Sequence, residues 1–304
     1  MESVPGFPDF RPVRLNDRDV ISRYLWSYQP ETSELTFTNL FIWRGEYGWL
    51  WSAEGSHLIL LSAKPGAEPY FLQPVGPLPR AGVSLRLLRW LREERSVARP
   101  RIERADRRLA KELESVPEFR VEPTREHFDY LYRTEDLISL KGSRYHAKRN
   151  HISRFSQAVD AAEFVSVGES NIALCAEFQD RWCETRRCSE DLNLLGEWEA
   201  VKEALANYLR LGVTGSAFLM GGRVEAFTFG ELLNRETAVV HIEKANPEIP
   251  GMYTAINQRF CREHWSRTAF VNREQDLGET GLRKAKLSYH PSRLVEKYRI
   301  SLAE

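Results

Sequence analysis

The sequence has no excess of either charge, because lysine plus arginine and aspartate plus glutamate both total 43. A whole-molecule field that draws in polyanions is therefore excluded, and any contact with RNA, lipid head groups or nucleotides must come from a local patch. There is no Cys-x-x-Cys pair among Cys175, Cys183, Cys188 and Cys261, and the first three fall in a stretch of helical periodicity. That spacing argues against a zinc site, so no metal is expected and the thiols are expected to be reduced. No segment approaches the roughly 18 continuous apolar residues of a membrane span. The start, MESVPGFPDF, has neither the basic residues nor the apolar run of a secretory leader, so a cytoplasmic location is expected. A Gly-x-Ser-x-Gly nucleophile turn is also missing, and Cys261 sits inside a predicted helix without a partner base, which leaves no convincing nucleophile for covalent catalysis.

What is present is a chain of 304 residues, enough for two domains of ordinary size. Val20, Ile21, Tyr24 and Leu25 recur at helical spacing behind Asn16 or Asp17 as cap, which predicts a first helix ending near Tyr28. WLWSAEGSHLILLS reads as a hairpin turning at Glu54-Gly55, and Leu85, Leu88 and Leu91 mark an amphipathic helix after the proline and glycine cluster of 65–79. Further on, helices are expected over 171–185 and 197–211, then strand, Gly221-Gly222 turn and strand over 216–233, and a third strand over 237–244. NPEIPG breaks the chain before a helix over 252–265 and a strand ending at Val271. This order resembles the acetyltransferase-like fold of the GNAT type. The hairpins at Gly55 and Gly221-Gly222 point to a tandem of two such units, an α/β (α+β) architecture of mostly antiparallel sheets flanked by helices. The units are expected over 1–135 and 136–304, the alternative being one α/β domain with an unrelated extension.

Three stretches carry chemistry. KGSRYHAKRNHISRF sets Lys141, Arg144, His146, Lys148 and Arg149 close together, which suits a phosphate-bearing donor, although a solvated connecting helix has the same composition. The arginines of 80–108 alternate with Glu93, Glu94, Glu103 and Asp106 and read as a solvated face. In the junction HIEKANPEIPGMYTAINQRF, His241 and Glu243 share a strand face by alternation, and either is a candidate base or amine ligand, or an ordinary sheet residue. Asn246, Gly251 and Tyr253 stand where a helix start faces a donor, but one glycine between Pro250 and Met252 is thin cover for a pyrophosphate. In the last stretch, FVNREQDLGETGLRKAKLSYHPSRLVEKYRI, continued alternation would place Glu274 and Asp276 on one face to hold an amine, with Asn272 beside them. Arg283, Lys286 and Tyr289 then bring two cations and a phenol nearby.

The closing residues Gly281, Leu282, Arg283, Lys286, Tyr289, Pro291, Lys297 and Tyr298 resemble the closing motif of the phosphatidylglycerol lysyltransferase C-terminal domain family. KGSRYHAKRNHISRF and VNREQDLG resemble the matching segments of its soluble, stand-alone branch. The resemblance implies two GNAT-like units in tandem, as in peptidoglycan-bridge aminoacyltransferases, and transfer of an aminoacyl group from charged tRNA to an amine or hydroxyl acceptor. It implies direct attack, with Glu243, Glu274, Asp276, Arg283 and Lys286 as the catalytic set and no cofactor beyond the donor. The acceptor is expected to be a small molecule, peptide or lipid head group, with no membrane span in the chain. An acyl-CoA donor is the alternative, and a non-catalytic small-molecule-binding module of the same fold is a third reading.

Overall fold

The computed structural model describes residues 3–159, 161–186 and 188–303. After β1 (Arg11–Pro12) come α1 (Arg18–Tyr28), α2 (Phe37–Ile42) and α3 (Arg44–Tyr47), then the hairpin of β2 (Trp49–Glu54) and β3 (His57–Ser62). β4 (Tyr70–Leu72), α4 (Ala81–Glu94), β5 (Arg101–Asp106), α5 (Arg107–Leu113) and β6 (Phe119–Pro123) follow. β7 (Asp129–Arg133), α6 (Thr134–Ser139), α7 (His146–Ala158) and β8 (Glu163–Ser166) lead to α8 (Ile172–Arg186), α9 (Leu192–Ala206) and α10 (Tyr208–Leu211). Next are β9 (Thr214–Met220), β10 (Arg223–Leu232), β11 (Thr237–Ala245), α11 (Met252–His264) and β12 (Phe270–Asn272). The chain closes with α12 (Thr280–Leu287), β13 (Arg293–Val295) and β14 (Lys297–Leu302).

Local chemistry sets these boundaries. The Thr36 hydroxyl accepts from Asn39 N at 3.1 Å to start α2, and the Asp106 carboxylate accepts from Leu109 N at 2.9 Å to start α5. The β9–β10 turn needs two consecutive left-handed residues, which Gly221 (φ 56°) and Gly222 (φ 77°) supply. On α4, Val83, Leu87, Leu88 and Leu91 form one buried stripe against Ile59, Phe71, Ile102 and Ile300 of the sheet. Burial of such side chains is worth roughly 1.5–3 kcal/mol each, so this face rather than helix propensity holds α4 in place.

The strands form two seven-stranded sheets, ordered β1-β2-β3-β4-β5-β14-β6 and β13-β7-β12-β11-β10-β9-β8. In each, an antiparallel hairpin runs into one parallel pair joined through a helix: β4 with β5 through α4, and β11 with β12 through α11. That repetition is the tandem α/β plan expected from the two glycine hairpins. The chain divides into two compact units, one of Met1–Asp129, Gln275–Glu279 and Leu294–Glu304, the other of Tyr130–Glu274 and Thr280–Arg293. A single cut near residue 135 does not describe this division, because the C-terminal strand returns to the first unit. There β14 pairs with both β5 and β6 and buries Ile300 in the core. No helix among the described residues is long and apolar enough to cross a membrane.

Candidate active site in the second unit

The second unit's site is built on the β11-to-α11 junction. Asn246, which ends the strand, donates from Nδ2 to Glu225 Oε2 at 2.9 Å, and Gly251 caps α11 with φ 80°. A Cβ on Gly251 would lie 1.9 Å from the His151 carbonyl oxygen, so only glycine lets α7 press its backbone against the start of α11. His151 Nδ1 and Thr254 Oγ1, 3.2 Å apart, tie the same two helices.

Beneath that contact lies a buried polar cluster. Both oxygens of Glu243 are engaged: Oε1 accepts from Arg273 Nη2 at 2.9 Å and Oε2 from Asn257 Nδ2 at 2.9 Å. Arg273 Nη1 and Asn257 Oδ1 are buried and make no hydrogen bond among the described residues, which leaves one donor and one acceptor in hand. Such groups are costly when left alone in a low-dielectric interior. Burial opposes the Arg273 charge, but Glu243, Tyr289 and Tyr132 raise its pKa and keep the guanidinium ionised. Lys148 is 8 % exposed and its Nζ stands 3.7 Å above the Tyr289 ring, with no ion pair among the described residues. Burial first, and then the Arg273 charge, lower the Lys148 ammonium to about 8, with Glu243 opposing them. A lysine of that kind is a base poised for work near neutral pH.

His241 forms a second, adjacent network. The β10–β11 register shifts between Phe229 and Gly230, so His241 is the bulged residue and turns inward. Its Nδ1 lies 3.0 Å from Glu274 Oε1 and its Nε2 3.0 Å from Glu231 Oε1. Burial alone would lower the imidazole pKa, yet the hydrogen bonds to Glu231 and Glu274 override it and push it up to about 9. His241 is thus a cationic brace between two carboxylates at neutral pH.

The remaining expected residues scatter. Lys286 donates to the Arg273 carbonyl, and its own carbonyl accepts from Tyr132 Oη at 2.8 Å, so it fixes the Arg273 backbone. Arg283 lies half-buried on α12. Tyr289 is buried beneath Lys148 and Arg273. Asn272, fully buried, accepts from Glu274 N at 2.8 Å. Tyr253 Oη, in the first turn of α11, accepts from Trp182 Nε1 at 3.2 Å. Of the basic stretch, Lys141 lies 4.0 Å from Glu135, Arg144 pairs with Asp136 at 3.0 Å, and His146 meets Asn150 at 3.2 Å. Arg149 donates to the carbonyls of Leu140 and Gly142, at 2.6 and 2.7 Å. Only Lys148 of that run turns into the cluster.

Three expectations need correcting. Glu274 and Asp276 do not share a face, because β12 stops at Asn272 and Glu274 takes a left-handed φ of 55°. Asp276 instead belongs to the first unit, where Oδ2 accepts from Arg125 at 3.3 Å and Oδ1 from Gly278 N at 2.9 Å. His241 and Glu243 likewise serve different partners, since the bulge breaks the alternation between them. Finally, Cys183 and Cys188 are joined in a disulfide, with their Cα atoms 5.2 Å apart, while Cys175 and Cys261 are free and buried. Burial pushes the Cys261 thiol up to about 12.

Arg273 and Asn257 escaped the sequence reading. Arg273 follows Val271 at the strand's inward period, a usable signal, whereas Asn257 lies in the middle of α11 among buried residues both apolar and polar and gave none.

Comparison with known proteins agrees with this architecture. Residues 27–301 match the family model described as phosphatidylglycerol lysyltransferase, C-terminal. A crystal structure of a conserved protein of unknown function from Bacteroides thetaiotaomicron is 32% identical with a TM-score of 0.90, over 97% of this chain and 99% of that one. The C-terminal domain of the Agrobacterium fabrum protein described as a lysylphosphatidylglycerol synthetase superposes with a TM-score of 0.64 at 13% identity, over 95% and 92% of the two chains. L-PGS from Bacillus licheniformis gives 0.65 at 13% identity, over 99% and 94%. These two likenesses show the fold, two mostly antiparallel sheets flanked by helices in tandem. An uncharacterised protein of Mycoplasmoides gallisepticum is 23% identical over 178 residues, which span 57% of this chain and 56% of that protein's length.

Proposed function

This chain belongs to the phosphatidylglycerol lysyltransferase C-terminal family, and from that premise we propose that its second unit transfers an aminoacyl group from charged tRNA to an amine or hydroxyl acceptor. Family and fold together point to acyltransferase activity. The observation that carries the finer reading is the pair of buried atoms with no hydrogen bond among the described residues, Arg273 Nη1 and Asn257 Oδ1, together with the buried Lys148 amine. Asn257 Oδ1 accepts a hydrogen bond from the acceptor's N–H or O–H and orients it. Lys148, with about a tenth of its molecules neutral at pH 7, takes the proton as the nucleophile attacks. Arg273 Nη1 donates to the carbonyl oxygen as negative charge gathers there, a contribution that grows in a water-poor site. The new acyl bond forms, the ester C–O bond breaks, and Lys148 returns the proton to the departing ribose oxygen. The scheme needs no metal and no cofactor.

The donor is argued from α11. A helix start commonly receives a pyrophosphate, but here the His151 carbonyl fills the space that a Gly251 side chain would occupy. This favours an ester of charged tRNA over CoA, and the exposed Lys141 and Arg144 offer it phosphate contacts. Labelled aminoacyl-tRNA and labelled acetyl-CoA, each presented with amino acids, peptides and lipid head groups, separate the readings. Product that forms from charged tRNA and disappears when RNase is added first supports the proposal. Product from acetyl-CoA alone refutes the donor assignment.

A further inference from the structure

The first unit contains a cavity of about 1250 Å³ that the proposed reaction does not use. It is larger than the ~300–1,000 Å³ of ordinary small-molecule pockets. α1 lines it with Arg23, Tyr24 and Tyr28, α5 with Arg108 and Lys111, and the segment before α4 with Leu78 and Arg80. Cations therefore outnumber the single lining carboxylate, Glu112, and apolar and aromatic side chains cover the wall between them.

The charges are not equivalent. Arg80 is 2 % exposed; its Nε donates to Glu112 Oε2 at 3.0 Å, and its Nη1 donates to Tyr28 Oη. Glu112 Oε1 accepts from the backbone amides of Arg80 and of Ala81, the latter at 3.1 Å. The protein's own carboxylate thus occupies the amides at the start of α4, where an external anion would otherwise sit. Arg108 pairs with Asp106 at 2.7 Å and lies within range of the Glu31 charge, with its guanidinium 4.1 Å over the Tyr28 ring. Arg23 and Lys111 make no ion pair among the described residues; Arg23 Nε reaches only the Asp19 carbonyl, at 3.3 Å. Two positive charges are left facing the cavity, on different helices, and neither is neutralised.

We propose that this cavity binds an organic phosphate monoester. Its dianionic head answers the charges of Arg23 and Lys111 beside the Arg108 fork, and its apolar or aromatic body lies against Tyr24, Tyr28 and Leu78. A phosphate monoester carries close to two negative charges near pH 7, which matches the uncompensated pair. The body is needed because Leu78, 70% exposed, and the tyrosine faces offer area that inorganic phosphate cannot cover.

The test is calorimetric titration of the full chain at low salt with phenyl phosphate, n-hexyl phosphate and inorganic phosphate. One-site saturation by an organic phosphate is expected, at least about tenfold tighter than inorganic phosphate. Preference for phenyl over hexyl assigns an aryl or nucleotide source, and the reverse a lipid-like source. The double substitution Arg23→Ala with Lys111→Ala, on exposed side chains, is expected to weaken binding about tenfold or more with an unchanged circular dichroism spectrum. Absence of saturation by either organic phosphate, equal affinity for inorganic phosphate, or wild-type binding by the double variant overturns the proposal.

Discussion

Replacing His241 by glutamine tests the electrostatics of the second unit. The imidazole rises from an ordinary 6.5 to about 9 because, despite burial, the hydrogen bonds it donates to Glu231 and Glu274 favour the cation. A raised folded-state pKa means that the stabilisation is fully present below pH 6.5 and is lost as pH climbs through 9. At 1.36 kcal/mol per unit, that is a contribution on the order of 3 kcal/mol. Urea unfolding followed by tryptophan fluorescence at pH 6, 7.5 and 10, for wild type and variant, isolates it, since other titrations cancel in the difference. The stability advantage of the wild type over His241→Gln should shrink by about 3 kcal/mol from the lowest to the highest pH. A difference that stays constant within about 0.5 kcal/mol would falsify the clamped-cation account.

Lys148→Met should slow transfer at least about a hundredfold, and the wild-type kcat/KM should climb with pH to a plateau above 8, near the lysine's lowered pKa. Because a lowered lysine pKa means that the folded state holds fewer protons between 8 and 10.5, wild-type stability should rise relative to the variant across that window. Below pH 8 the methionine variant should be the more stable by about 1–2 kcal/mol, discounted for the water the amine still meets; a less stable variant in urea melts contradicts this. Gly251→Ala should lower the melting temperature and abolish transfer, because its methyl must displace the α7 backbone at His151. In the first unit Lys297 donates to Glu34 and Asp129, each at 2.6 Å, inside the core. Lys297→Met should therefore cost about 3–5 kcal/mol by removing the nearest cation from two buried carboxylates, Glu34 keeping Arg104 at 3.7 Å, measurable by denaturant unfolding.

Much of the fold could be read along the chain because it is carried by local patterns. The Gly55 and Gly221-Gly222 turns, the helices of 171–185 and 252–265 and the strand of 237–244 all rest on neighbours in sequence, and all are present. The return of β14 to the first sheet was hidden, since Lys297 and Ile300 find their partners about two hundred residues away. The same distinction applies to the site. Glu243, Lys148, Lys286 and Tyr289 were marked by charge or motif, and they do converge. What alternation could not foresee is a bulge at His241 and a left-handed Glu274, two backbone irregularities that redirect side chains. Glu112 and its hold on the α4 amides were equally invisible, being a contact between helices thirty residues apart.

The central claim is that acyl transfer takes place at the buried cluster of the second unit. Its most direct test is single-turnover transfer from labelled aminoacyl-tRNA by wild type, Arg273→Lys and Lys148→Met, each checked for intact fold. The account predicts product in the wild type, almost none with Lys148→Met, and a reduced rate with Arg273→Lys, which keeps the charge but loses the second guanidinium donor. Wild-type rates in both variants would contradict it.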